Sequence, residues 1–347
     1  MAVPIPLRID TTGVHDRRAR ALTDLRISVI DRCNFRCPYC MPEDAWPRDH
    51  QWLGKSERLR FEEIERLARV FAGLGVKRLR LTGGEPLLRR ELPQLVARLA
   101  AIEGIDDIAM PSNGTLLPAQ ARSLREAGLD RITLSLDALD PGTYRHLSGG
   151  RGEVDALFAA IDAAVAAGFG SLKINCVVMR GVNDGEVEPL VERFRGSGHV
   201  LRFIEYMDVG TCNRWDDSLV VPSAELLARI QRRWPLVALG RSRGSEVAER
   251  WRFADGGGEI GFISSVSAPF CGDCTRARLS ADGRLYTCLF AREGHDLRGP
   301  LRAGAGDDEL AALVAAVWSA RDDRYSELRD SLRNNARERI EMYEIGG

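Results

Sequence analysis

The chain has 347 residues, 44% hydrophobic and 29% charged, an ordinary globular composition with room for one large core and a smaller attached unit. With 49 Lys and Arg against 50 Asp and Glu the net charge is −1, so no global field draws the protein to nucleic acid or anionic lipid, and any anionic ligand must be met by local cations. The first ten residues lack the apolar run of a signal peptide, and no stretch is apolar and long enough to span a membrane. The expected location is the cytoplasm, with no nucleic-acid and no membrane partner.

Short apolar or alternating runs at 25–30, 76–82, 105–110, 131–137, 172–179 and 200–207 predict six strands. Amphipathic stretches at 61–74, 92–102, 118–127, 154–167 and 186–195 lie between them and predict helices. Gly75, Gly104, Gly128 and Gly168 follow four of these, as glycines do at helix C-termini. Strands alternating with helices predict an α/β fold, a parallel sheet with right-handed crossovers. Six repeats are too few for a full eight-fold barrel and suit an open, partial six-fold one. After about residue 215 the rhythm changes to a helix over 220–234, a Gly- and Arg-rich region over 240–258, a strand-like run at 284–289 and a helix over 308–321. The predicted division is therefore a barrel over 1–215 and a smaller C-terminal domain over 216–347.

Side chains alternate across a strand, so residues two apart share a face. Arg26 and Ser28, then Arg78, Arg80 and Thr82, then Arg131, Thr133, Ser135 and Asp137, then Lys173 and Asn175 fall on one face of successive strands, with Leu and Ile on the other. A parallel strand packed on both sides is apolar on both faces. One charged face in strand after strand predicts a polar cavity inside the curve of the sheet, basic enough for an anion.

In a reducing compartment clustered cysteines read as metal ligands or redox groups rather than disulfides. Of the eight, Cys176 lies in an apolar run and reads as a small core side chain, and Cys212 receives no assignment. Cys33, Cys37 and Cys40 form C-x3-C-x2-C in a loop directly after the first strand. Structural zinc takes four protein ligands, whereas three thiolates on a [4Fe–4S] cubane leave one iron open. Cys271, Cys274 and Cys288 form a second set of three, for which these residues alone leave zinc and a cluster as even alternatives. Arg276 and Arg278 follow it and suit an anionic ligand. No G-x-x-x-x-G-K-[ST] loop is present to cradle a nucleotide.

With Tyr39 just before its last cysteine, the first motif resembles the signature of radical S-adenosylmethionine enzymes, and Thr82-Gly83-Gly84-Glu85-Pro86 resembles their glycine-rich motif. The resemblance implies a partial six-fold β/α barrel. It also implies a cluster whose open iron binds S-adenosylmethionine, and reductive cleavage of that cofactor to a hydrogen-abstracting 5′-deoxyadenosyl radical. The second cysteine set, the Cys-x-x-Cys-x-Arg-x-Arg string and the terminal Gly346-Gly347 resemble one group within it, the GTP 3′,8-cyclases of molybdenum cofactor biosynthesis. That implies two [4Fe–4S] clusters, GTP as substrate, a downstream cyclic pyranopterin monophosphate synthase, and a one-electron reductant such as flavodoxin or ferredoxin. The oligomeric state stays open, a homodimer being one option.

Carried over by position, Tyr39, Gly84, Ser135 and Met207 would contact S-adenosylmethionine. Arg26, Arg78, Arg80, Lys173, Arg276, Ala277 and Arg278 would contact GTP, and Gly346 and Gly347 would reach into the active site. Pro111-Ser112-Asn113 stands where this group usually has Thr-Thr-Asn, which removes a hydroxyl contact at the first position. Two rival readings fit this pattern less well. A radical enzyme acting on a peptide or another small molecule often carries seven cysteines in its C-terminal part, and an electron carrier would complete each cluster with a fourth cysteine.

Overall fold

The structure is a computed structural model and describes residues 13–45, 51–242, 244–332 and 339–346. Six parallel strands are β1 (Asp24–Ser28), β2 (Arg78–Thr82), β3 (Asp107–Ser112), β4 (Arg131–Ser135), β5 (Lys173–Val178) and β6 (Val200–Glu205). They lie side by side in chain order. Their crossovers run through α1 (Phe61–Gly73), α2 (Leu92–Ala100), α3 (Ala121–Glu126), α4 (Pro141–Leu147), α5 (Val154–Ala166) and α6 (Val187–Phe194). This is the partial six-fold barrel the repeat count predicts.

The helices form where the pattern requires. Ile64, Leu67, Ala68 and Phe71 make one buried stripe on α1, Glu62 and Glu63 sit at its positive end, and Gly75 ends it at φ +106°. Beneath the helices lie Leu25, Ile27, Leu79, Leu81, Ile132, Leu134 and Ile174, each at most 2% exposed. Burying each such side chain contributes roughly 1.5–3 kcal/mol. Their strand neighbours of opposite parity face inward and are the polar set.

Two details differ from the sequence reading. The α4 helix was not expected, although Asp140 caps it by accepting from the Thr143 N–H at 2.8 Å and Pro141 opens it. The observed strands also stop one or two residues short at 28, 135, 178 and 205, because their C-terminal ends leave the ladder to form the loops of the site.

After β6, α7 (Ser223–Gln231) leads into an antiparallel run of β7 (Leu236–Gly240), β8 (Glu249–Phe253) and β9 (Glu259–Ile263). The Gly- and Arg-rich stretch thus holds strands, and β9 pairs parallel with β6. The chain then crosses to the opposite edge, where β10 (Arg276–Leu279) pairs parallel with β1, followed by antiparallel β11 (Arg284–Tyr286) and β12 (His295–Asp296). Residues after 215 therefore extend both edges of one open sheet. The order is β12-β11-β10-β1-β2-β3-β4-β5-β6-β9-β8-β7. Helices α8 (Arg298–Arg302), α9 (Asp307–Ser319), α10 (Arg329–Leu332) and α11 (Met342–Ile345) close the chain. Among the described residues no helix is long and apolar enough to cross a membrane.

Candidate active site between two thiol triples

The chain leaves β1 into the loop that carries Cys33, Cys37 and Cys40, and the turn after β2 holds that loop in place. The Gly84 N–H donates to the Ile30 carbonyl at 2.9 Å, and the Glu85 N–H to the Arg32 carbonyl at 2.8 Å. A Cβ on Gly83 would overlap the Ile30 carbonyl, and one on Gly84 the Arg32 carbonyl. The Gly-Gly pair is thus required by packing before any ligand is considered. The loop after β3 adds a third tie, with Asn113 Nδ2 donating to Asn34 Oδ1 at 2.7 Å. The Glu85 carboxylate accepts from the Asn113 N–H and the Ser112 hydroxyl, both at 2.9 Å, and burial pushes it up to about 7. Burial also pushes the Cys33 thiol up to about 11 and Cys40 up to about 12. Thiolates form there only when a cationic centre draws off their protons.

The three thiols open on a chamber of about 240 Å³. Tyr39, Gly84, Ser135 and Met207, the residues expected at S-adenosylmethionine, all line it. Tyr39 donates its hydroxyl to Asp137 at 2.6 Å, and Asp137 also accepts from the Val177 N–H at 2.8 Å. Burial pushes the Asp137 carboxyl up to about 6.

Across the cavity a short turn, Cys271–Asp273, leads into β10. The register of β10 against β1 sets Arg278 beside Arg26, which in turn lies beside Arg80 of β2. These cations and Arg276 line a second chamber of about 170 Å³ with Cys271, Cys274 and Cys288. Pro111, Asn175, Ile204 and Met207 are walls common to both chambers. Arg26 and Arg80 make no hydrogen bond or ion pair among the described residues. Burial first, then the neighbouring guanidiniums, hold Arg26, Arg80 and Arg278 below the ordinary arginine value. Guanidiniums remain protonated, so this depression registers the cost of burying like charges together, with no acid paired to them among the described residues. Burial acts to push the Cys274 thiol up, but Arg276, whose Nη2 lies 3.3 Å from its sulfur, and Arg321 bring it down to about 6.

The structure divides the expected GTP contacts. Arg26, Arg80, Arg276 and Arg278 share the second chamber. Arg78 and Lys173 line a lower chamber of about 490 Å³ at the N-terminal ends of the strands. There Arg78 is engaged by Asp24 at 2.6 and 2.7 Å. Lys173 has no such partner, and burial followed by Arg202 pushes it down to about 8. Ala277 is fully buried on the helix side of β10 and lines none of these chambers, so only its backbone could meet a ligand.

The chain's last described segment returns to this cavity. Arg278 donates to the Gly346 carbonyl. Gly346 has φ +71°, and a Cβ there would overlap the Thr82 hydroxyl, which is buried without a hydrogen-bond partner. Gly347 lies outside the described residues. Cys176 is fully buried, and Cys212 places its sulfur 2.9 Å from Glu341.

Sequence reasoning missed Arg202, which lines both the second and the lower chamber and donates to Asn175 at 2.9 Å. Carrying the alternation of β5 one strand further would have found it. Asp137 stands on the predicted polar face of its strand and Asn113 in the Pro111-Ser112-Asn113 string, but only the fold reveals their partners.

The donor chemistry of the first triple fits an iron–sulfur cluster. Among the described residues no three His, Cys, Asp or Glu side chains converge on a single ion. Cys33, Cys37 and Cys40 line one chamber, where each thiolate would take a different iron of a cluster. Residues 27–194 match the Radical SAM superfamily, and residues 199–327 match the family described as Molybdenum Cofactor Synthesis C. A GTP 3′,8-cyclase of Xanthomonas axonopodis pv. citri is 58% identical over 97% of this chain and all of its own length. Those of Acidothermus cellulolyticus (51%; 92% of this chain, 89% of its own length) and Staphylococcus haemolyticus (45%; 96% and 99%) follow. Among solved structures, Streptococcus suis SuiB bound to S-adenosylmethionine superposes with a TM-score of 0.58 at 14% identity, over 84% of this chain and 67% of its own, which shows the fold alone. The chain belongs to the GTP 3′,8-cyclase family of radical S-adenosylmethionine enzymes.

Proposed function

We propose that this chain performs the first step of molybdenum cofactor biosynthesis, converting GTP to 3′,8-cyclo-7,8-dihydroguanosine 5′-triphosphate. The observation that carries the reading is the group of cations Arg26, Arg80 and Arg278, none with an acidic partner among the described residues, set between two thiol triples in a chain of net charge −1. A triphosphate with close to four negative charges supplies the missing counter-charge.

The first triple would hold a [4Fe–4S] cluster, which when bound with S-adenosylmethionine supplies a 5′-deoxyadenosyl radical able to take the ribose 3′ hydrogen. The protein's part is positioning and exclusion of water. Tyr39, Gly84, Ser135 and Met207 would hold S-adenosylmethionine. Arg26, Arg80, Arg276 and Arg278 would hold the nucleotide, with Arg78, Lys173 and Arg202 taking charge at the lower end. The second triple would hold a second cluster near the base. Gly346 and Gly347 would bring backbone groups, free of side chains, to the reacting region. The finer parts of the reading are a cytoplasmic enzyme, a flavodoxin or ferredoxin as electron donor, a cyclic pyranopterin monophosphate synthase as consumer of the product, and a homodimer as one assembly.

The test is anaerobic incubation of the reconstituted protein with GTP, S-adenosylmethionine and dithionite. GTP-dependent 5′-deoxyadenosine together with the cyclised nucleotide is the expected result. Release of 5′-deoxyadenosine that is indifferent to GTP overturns the reading.

A further inference from the structure

The second triple is braced by a buried ionic cluster drawn from the two ends of the chain. Asp16, Arg20 and Arg321 have side chains at most 2% exposed. Asp16 accepts from Arg20 Nε at 2.6 Å and from Arg321 Nη1 at 3.1 Å. Both guanidiniums then reach the cysteine backbone. Arg20 Nη1 donates to the Cys271 carbonyl at 2.7 Å, and Arg321 Nη1 to the Cys274 carbonyl at 2.8 Å. The third cysteine is tied indirectly. Thr287, the residue before Cys288, donates to Asp323 at 2.6 Å, and Asp323 pairs with Arg321 Nε at 3.3 Å.

Every cysteine of the triple therefore has a brace, and all three converge on one pair of arginines. A staple joining the chain termini would need none of these contacts to the cysteines. Two further facts point to a ligand. Arg20 Nη2 is buried with no hydrogen-bond partner, which is costly for a charged donor unless an acceptor arrives. Arg321 lines the chamber beside Cys274.

We infer that Arg20 and Arg321 are positioning residues for the group held by Cys271, Cys274 and Cys288, fixing the three thiolates at cluster spacing, with the Arg321 guanidinium set against Cys274 where its charge favours the reduced cluster. This rests on the two-cluster reading above. A buried cation beside an anionic centre stabilises the extra electron, so its removal makes reduction harder.

The experiment uses the full chain with Cys33, Cys37 and Cys40 all replaced by Ala, so that only the second site can bind iron. That parent should retain about four irons per chain, and an iron content near zero removes the second cluster itself. Within the parent, Arg321→Gln is expected to lose at least half of this iron, or to keep it with a reduction equilibrium about tenfold poorer, about 59 mV more negative for one electron. Arg321→Lys, which keeps the charge, should recover both. If Arg321→Gln holds about four irons at an unshifted potential, the inference is overturned. Should Arg321→Gln fail to fold, as judged by near-UV circular dichroism, Thr287→Val cuts a single brace, and full iron retention there overturns it equally.

Discussion

Replacing Arg80 with Met should make the empty protein more stable and its complex with GTP weaker. Arg80 projects into the cavity beside Arg26, has no partner among the described residues, and is held from 12.5 down to about 10, chiefly by burial and then by Arg131 and Arg276. At 1.36 kcal/mol per pH unit this corresponds to a ceiling of about 3 kcal/mol of destabilisation. Screening by solvent in the cavity reduces it to about 1–2 kcal/mol. Because the folded value lies below the unfolded one, the penalty is complete at any pH below about 10. With an unfolding entropy of about 2.1 cal/mol/K per residue, Arg80→Met should raise the nucleotide-free Tm by about 1.5–3 °C. A hydrogen bond from a guanidinium to phosphate contributes about 1.5–3 kcal/mol, so the Kd for GTP should rise about 10- to 150-fold. Thermal scans with and without GTP, together with calorimetric titration, read both quantities. A variant that melts below the wild type when empty, or binds GTP as tightly, refutes the argument that Arg80 waits unpaired for an anion.

Other predictions follow from the same geometry. Gly84→Ala drives a methyl into the Arg32 carbonyl and to 2.8 Å from the Cys33 nitrogen, where only backbone could yield. It should cost about 1–3 kcal/mol and empty the first thiol site of iron, read by iron and sulfide assay. With Lys173 pushed down to about 8 in the empty protein, GTP must bring a proton with it above that pH. The Kd should then rise by up to about tenfold per pH unit beyond 8, with proton uptake seen in calorimetry across buffers, and Lys173→Gln should flatten that dependence. Glu341 accepts from the Thr211 N–H and hydroxyl, both at 2.8 Å, and anchors the final segment. Glu341→Ala should therefore expose residues 339–347 to limited proteolysis and lower cyclised product more than 5′-deoxyadenosine. Equal loss of both would mean that the tail does not guide the nucleotide.

Much of this site was legible from local pattern. Alternation along 78–82, 131–137 and 172–179 identified the inward face without any partner strand, because period 2 is a local property of the backbone. The cysteine spacings were equally local. What could not be read was pairing across the sheet. Nothing near Arg276 or Arg278 announces that β10 will lie against β1, some 250 residues earlier, and it is this pairing that brings Arg278 beside Arg26. Strands β7 to β9 were hidden for a related reason. β7 and β8 form a largely exposed edge, where Arg250 and Arg252 flank Trp251 and charge masks strand propensity, and β9 is a run of only five residues interrupted by Gly261. Nothing in the sequence marks Asp16, Arg20 and Arg321 as a group, since a buried ion pair is defined by a partner 305 residues away.

The layers of the barrel explain how a nearly neutral chain makes a cationic site. At the N-terminal ends of the strands, Asp24 pairs with Arg78, and Asp107 with Arg131, so that layer largely cancels. Two residues further along, the same strands present Arg26 and Arg80, and β10 adds Arg278, with no acid in register among them. Beyond these come Ser28, Thr82 and then the thiols. Charge is thus sorted along the strand axis by two-residue steps rather than by excess of one sign. An anionic ligand entering this cavity would meet cations without acidic partners first in the middle layer, which would hold its phosphates between the two thiol triples. Had Asp24 and Arg26 exchanged places, the composition and net charge would be unchanged, but an acid would stand between Arg80 and Arg278 and most of the middle layer's positive charge would be lost. The order of residues along β1, more than their number, is what makes the middle layer of the cavity cationic.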